Sequence, residues 1–284
     1  MPPIANLQIF AQQVIRTETD NSERRNNNFK TNCIMNPTIQ ESIPTLFVNI
    51  NSTLPHKIDS ESLKRMIMSP IPRGKIMFTN ISISTEVNNE KRINCYVNGN
   101  EFSLLDGKLK SLFNFNNCCS VYINNFSEKI GKIASNLLYN DFNFFSSPKE
   151  KRQFYGNIRY TINPFGIRGP RKFKVSLPRL IDDEHIIYAS SLKNNSKFID
   201  QYINEDPIWC PEYKEYRLNF NERVKKSSKK NFIMYDSDME EHDKIIQFGM
   251  IDENTFALDF QHPISIFQAF CIGVTSIIEK FFCE

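Results

Sequence analysis

Phe260-Gln-His-Pro-Ile-Ser-Ile-Phe-Gln-Ala-Phe-Cys-Ile-Gly-Val-Thr-Ser-Ile-Ile-Glu-Lys-Phe-Phe-Cys-Glu284 is the stretch that decides how the rest of the chain is read. Between Ile264 and Ile278 it carries no charged residue. Pro263 stands where a first helical residue is favoured, because a proline there forfeits no hydrogen bond. On a helical wheel Phe267, Phe270, Val274, Ile277, Ile278 and Phe281 form a broad apolar face. Ser265, Ala269, Gly273, Thr275 and Ser276, all small, occupy the other side. A membrane-spanning helix needs roughly 20 apolar residues to cross a ~30 Å hydrocarbon core. This run is shorter, bounded upstream by Asp259, His262 and Pro263 and downstream by Glu279 and Lys280. The expectation is therefore a buried helix that the remainder of the chain wraps.

The segments preceding it read as strands. They are Ile76–Ile83, Arg92–Val97, Cys119–Ile123, Phe154–Ile162, Phe173–Leu177, His185–Tyr188, Tyr216–Phe220, Asn231–Tyr235, Lys244–Phe248 and Phe256–Phe260. Several alternate apolar with polar residues, as half-buried antiparallel strands do. Clusters of Asn, Gly, Pro and Ser separate them, and many short strands point to a barrel or sandwich. The strand pattern begins near Ser62. Residues 1–61 read as a separate, flexible N-terminal segment, with Thr17–Asn32 rich in Asn, Glu and Arg. Ile4, Leu7, Phe10, Ala11, Val14 and Ile15 recur at helical spacing. Residues 4–16 are read as a tail that frays or folds back, in preference to a docking helix, since so short a helix is marginal alone.

Composition narrows the function classes. A net charge of +3 over 284 residues is too small for a dedicated nucleic-acid binder. The 7 cysteines are odd in number and show no C-x-x-C spacing, which favours free thiols in a reducing compartment over disulfides or zinc. The 4 histidines are scattered, so no metal cluster is readable. No G-x-S-x-G, P-loop or zinc motif is present, and no enzyme or cofactor is expected. Asp182-Asp183-Glu184-His185 is read as a loop. The start of the chain lacks the basic and apolar regions of a signal peptide.

Several blocks, in order, resemble the tubby family C-terminal domain. They are Gly131-Lys-Ile-Ala-Ser-Asn136, Arg152-Gln153, Gly166-Ile-Arg-Gly-Pro-Arg-Lys172 and Pro207-Ile-Trp-Cys210. Tyr216-Arg-Leu-Asn-Phe220, Arg223-Val224, Lys230-Asn-Phe232 and Gln247-Phe-Gly249 follow. Phe256-Ala-Leu-Asp-Phe260, Gln268-Ala-Phe270 and Cys283-Glu284 complete the series. The likeness covers residues 62–284. It implies a closed twelve-stranded antiparallel β-barrel around a buried hydrophobic C-terminal helix, in agreement with the strands and plug read above.

The resemblance also implies a non-enzymatic protein that binds phosphoinositides, chiefly phosphatidylinositol 4,5-bisphosphate. Its place would be cytoplasmic and peripheral, at the plasma or ciliary membrane. Lys132 falls on the family's lysine that contacts the ring phosphates, Arg152 on its phosphate-contacting arginine and Ser120 on its asparagine. Lysine supplies a compact charge and arginine a planar fork for such ligands. The family's second cation, two residues after the lysine, is Ala134 here; Lys149 and Lys151 are the compensating candidates. Arg171 and Lys172 are read as structural or general surface charge. Lys225, Lys226, Lys229 and Lys230 are read as a solvated face, and Glu222 replaces a family glycine. The implied role is an adaptor carrying membrane receptors to cilia or flagella, with residues 4–16 engaging the intraflagellar transport machinery. A membrane-released transcription regulator with a nuclear pool, and a scramblase-like lipid-binding protein, are the alternatives.

Overall fold

Strands whose alternate residues are apolar can hide those residues only by curving around something apolar, and here they curve around one helix. The computed structural model describes residues 59–284, apart from 88–89, 100–101, 111–117, 124–127, 148–151, 163–169, 182–197, 238–242, 281–282 and 284. All of them lie in the unit Glu41–Glu284. The first element is a helix, α1 (Ser60–Met68), capped by the Asp59 carboxylate, which accepts from the Glu61 and Ser62 amides. It replaces the strand pattern expected from Ser62 onward. Its Leu63, Met66 and Ile67 are buried and recur at helical rather than strand spacing.

The wall is built from β1 (Ile76–Thr85), β2 (Lys91–Val97), β3 (Ser103–Leu109), β4 (Cys119–Ile123), β5 (Glu128–Ser135) and β6 (Asp141–Ser146). It continues with β7 (Phe154–Tyr160), β8 (Phe173–Pro178), β9 (Ile199–Asn204), β12 (Phe232–Asp236), β13 (Lys244–Asp252) and β14 (Thr255–Gln261). Consecutive neighbours pair antiparallel, and β1 pairs with β14, so the sheet closes and leaves no edge in the barrel. The short hairpin of β10 (Ile208–Cys210) and β11 (Glu215–Arg217) stands outside that sheet. The strand expected over Tyr216–Phe220 is thus a correction. It ends at Arg217 and pairs only with β10, where Trp209 packs edge-on against Tyr216 at 5.1 Å. The strand expected over His185–Tyr188 lies outside the described residues.

The plug is α2 (Ile266–Ile277), every residue of which is buried. Its cap is Ser265, not a helix beginning at Pro263. The Ser265 hydroxyl accepts from the Gln268 amide, and the Gln268 side chain accepts from the Ser265 amide. Pro263 precedes the cap and follows His262 through a cis peptide bond. Bulky α2 side chains need thin wall opposite them. A Cβ at Gly131 would lie 2.5 Å from the Phe267 ring, so β5 passes the plug only because residue 131 has no side chain. Phe267 also meets Tyr155 of β7 edge-on at 5.2 Å.

The heavy use of phenylalanine has a structural destination. Phe142, Tyr160, Phe173, Phe232, Phe248 and Phe256 form a continuous arc of ring contacts at 5.0–6.1 Å between centroids. The arc is tied to the plug by the Tyr160 hydroxyl, 3.0 Å from that of Thr275. Because α2 folds back after β14, it finishes at the barrel end where β14 begins. There the Ser276 hydroxyl donates to the Lys230 carbonyl. Its start lies at the other end, where the Gln268 side chain donates to the Tyr155 carbonyl. The cysteines Cys95, Cys118, Cys119, Cys271 and Cys283 are buried free thiols, as expected, and Cys210 is partly exposed.

Candidate functional site

In β5 the neighbours of Lys132 point inward: Gly131 meets the plug and Ile133 is fully buried. Strand geometry therefore sends Lys132 outward. Opposite it stand Ser120 of β4 and Phe145 of β6, and opposite Ser120 stands Lys108 of β3. Directly opposed residues share a face of the sheet. Lys108, Ser120, Lys132 and Phe145 therefore form one row across four strands on the outside of the wall. Arg152, just before β7, joins this row by placing its guanidinium 5.4 Å from the centre of the Phe145 ring.

Charge is concentrated here. The Lys132 ammonium is held below the ordinary lysine range, first by partial burial and then by the positive charges of Arg152 and Lys129. The participation of Lys129 is a consequence of a bulge. Val121 pairs with Gly131 but Tyr122 pairs with Lys129, so Ile130 is the extra residue. Lys129 thereby comes to the same face as Lys132, although three residues apart in a strict alternation would place them on opposite faces. Lys108 reaches over the Tyr122 ring at 5.6 Å on that face. Nearby Glu128 is paired with Lys64 of α1 at 3.0 Å. The arrangement offers a rigid wall with several converging cations and one partly exposed aromatic shelf, suited to a multiply charged anion.

The described barrel, its helical plug and this cationic face meet a matching family. A family model described as Tub family matches residues 68–278. The chain belongs to the Tub family. Protein king tubby 1 of Aedes aegypti is 33% identical over 174 residues, covering 55% of this chain and 42% of that protein. Protein king tubby of Anopheles gambiae is 33% identical over 172 residues, covering 55% of this chain and 38% of that protein. The match to protein king tubby of Drosophila grimshawi is 32% over 173 residues, covering 54% and 38% respectively. The aligned part thus spans about two fifths of the length of these relatives.

Within this Tub domain the residues anticipated from the sequence fall unevenly. Lys132 and Arg152 come together on the outer face. Ser120 lies on the same row but is only 1% exposed, so its hydroxyl is not presented to solvent as the two cations are. Ala134 faces outward, opposite Asn143, and leaves the expected second cation absent from β5. Lys149, Lys151, Asp182–His185 and residues 4–16 lie outside the described residues. Arg171 donates to the Ser276 carbonyl at 3.1 Å and Lys172 pairs with Asp206 at 2.7 Å, both consistent with structural use.

Two other anticipated features change. Lys230 is not on a solvated face: it is half-buried, 5.6 Å over the Phe256 ring. Glu222, in place of the family's glycine, keeps a left-handed backbone at φ 65°, after Asn221 at φ 48°. The turn thus survives the exchange with a strained residue in it. It delivers Arg223 onto Asp259 through contacts of 3.0–3.2 Å, with Gln247 donating to the same carboxylate at 2.8 Å. Among the described residues no three His, Cys, Asp or Glu side chains gather as a metal site. No described helix is long and apolar enough to cross a membrane.

Proposed function

We propose that this Tub-family domain is a non-enzymatic phosphoinositide-binding module, with phosphatidylinositol 4,5-bisphosphate as its ligand at the cytosolic membrane face. The observation that carries the reading is the convergence of Lys132, Arg152 and Lys129 on one outward face, close enough for the two neighbours to depress the Lys132 ammonium. Phosphate oxygens accept several charge-assisted hydrogen bonds at once, and an ammonium beside a guanidinium supplies them in complementary shapes. In this reading the Phe145 shelf holds the Arg152 guanidinium in place and costs it little freedom. The wider role is a peripheral adaptor that brings membrane receptors toward cilia or flagella, with residues 4–16 engaging the intraflagellar transport machinery.

The test is co-sedimentation of the full chain with liposomes containing or lacking the bisphosphate lipid. Binding is expected only with the lipid. A membrane-facing Lys or Arg contributes about 1 kcal/mol, so Lys132→Ala with Arg152→Ala should weaken it by about thirtyfold. Equal, negligible sedimentation with both liposomes defeats the proposal.

A further inference from the structure

We propose that the barrel end at which α2 finishes holds a second anion site, separate from the Lys132 face, that takes a small, multiply charged phosphate anion between Lys91, Lys229, Lys230 and Arg171. A cavity of about 630 Å³ lies there, of the size that small-molecule sites occupy. Five cations line it: Lys91, Arg171, Lys229, Lys230 and Lys280. Among the described residues that line it, only Glu253 and Glu279 oppose them.

Part of this charge has a structural use. The carbonyls at the end of a helix form the negative pole of its dipole and attract cations. Lys280 answers that need, donating to the carbonyls of Thr275 at 2.5 Å and Ile278 at 2.8 Å while lying 4.2 Å over the Tyr160 ring. Arg171 does the same at the Ser276 carbonyl. One helix end is thereby served by two cations, and three lysines still stand around the same space. The crowding bears on Lys230: its ammonium is held below its ordinary range, first by burial and then by Arg171, Lys91 and Lys229, with Glu279 opposing. An anion of several charges seated among them relieves that repulsion in a way two carboxylates do not.

The surroundings strengthen the attraction. Lys230 itself lies 5.6 Å over the Phe256 ring, one end of the aromatic arc. Ile83 and Ile277 also line it, and a cleft in which one sign of charge dominates focuses the field of its cations. A neighbouring cavity of about 540 Å³ shares Arg171 and Lys229 and adds Lys225 and Lys226, which extends the positive path outward. Arg152 of the first face precedes Phe154, the first residue of β7, and β7 starts at the opposite end of the barrel. An anion here therefore leaves the Lys132 face open.

The experiment is calorimetric titration of the full chain with sodium tripolyphosphate. The wild type is compared with a Lys91→Gln/Lys229→Gln double variant, both positions being solvent-exposed, and with Lys132→Gln. One tripolyphosphate per chain is expected at this end, besides any taken by the Lys132 face. Affinity at this end should fall at least tenfold in the double variant and change less than twofold in Lys132→Gln, which removes only the other face's contribution. Absence of saturable binding, or loss confined to Lys132→Gln, overturns the proposal. A measurement on the wild type alone guards against a double variant that misfolds: tripolyphosphate should raise the thermal midpoint, and sodium chloride of equal ionic strength should not. Equal shifts with both salts also overturn the proposal. Co-sedimentation of the double variant with bisphosphate liposomes tells the ligand's source. Binding like that of the wild type marks a soluble anion, and a parallel tenfold loss marks a lipid head group, the site being upheld in either case.

Discussion

An arginine introduced at position 134 should increase affinity for bisphosphate liposomes about fivefold. Ala134 follows Lys132 by two residues in β5 and shares its outward face, at a distance of about 7 Å along the strand. Its cross-strand partner Asn143 is neutral. The nearby carboxylate of Asp141 is already held by Arg159 at 2.6 Å and Asn157 at 2.5 Å, so it competes little for a new cation. Two unit charges about 7 Å apart in water repel by about 0.6 kcal/mol, which slightly lowers the stability of the free protein. A membrane-facing cation adds about 1 kcal/mol of attraction to a bound head group, hence the factor of five. The assay is liposome co-sedimentation at fixed ionic strength, comparing wild type, Ala134→Arg and Val87→Arg. Val87 is fully exposed in the β1–β2 turn, at the opposite barrel end from Arg152, and its substitution adds the same charge. It should change affinity less than twofold. Equal gains in the two variants, or none at position 134, would refute a head-group site on this face.

Three further outcomes follow from the wall and its turns. Arg223→Ala leaves Asp259, 4% exposed, without its main cation and should cost about 3 kcal/mol in guanidinium denaturation; a loss below 1 kcal/mol contradicts the assigned pairing. Glu222→Gly relieves a left-handed residue and should stabilise by about 0.5–1 kcal/mol, net of glycine's added chain entropy, read in the same assay. Burial pushes the Cys95 and Cys118 thiols up to about 12. At pH 8 about one in ten thousand is thiolate, so both should resist iodoacetamide until the barrel unfolds, while Cys210 is labelled in the native state. Native-state labelling of Cys95 at the Cys210 rate contradicts the packing.

The strands Cys119–Ile123 and Phe256–Phe260 were legible because their apolar content is dense and their ends are marked. The strands β3, β5, β6 and β9 were not, because each mixes glycine or polar residues into a short run. In β3 and β5 the small residues Gly107 and Gly131 are there to clear Phe270 and Phe267 of the plug, a partner far away in sequence. The Lys132–Arg152 pair was readable through its family blocks. Lys129 was not, because a one-residue bulge against β4 changes which face it occupies.

The amino-acid sequence by itself determined that an uncharged helix must be enclosed and that antiparallel strands would enclose it. Both follow from periodicity, which is local and additive along the chain. Which cations meet was decided only by tertiary structure. Lys129 reaches Lys132 through strand register, and Lys230 enters a cavity beside Lys91 and Arg171 because the strands close around the end of α2. Electrostatic sites depend on distances between remote residues, and barrel closure sets those distances.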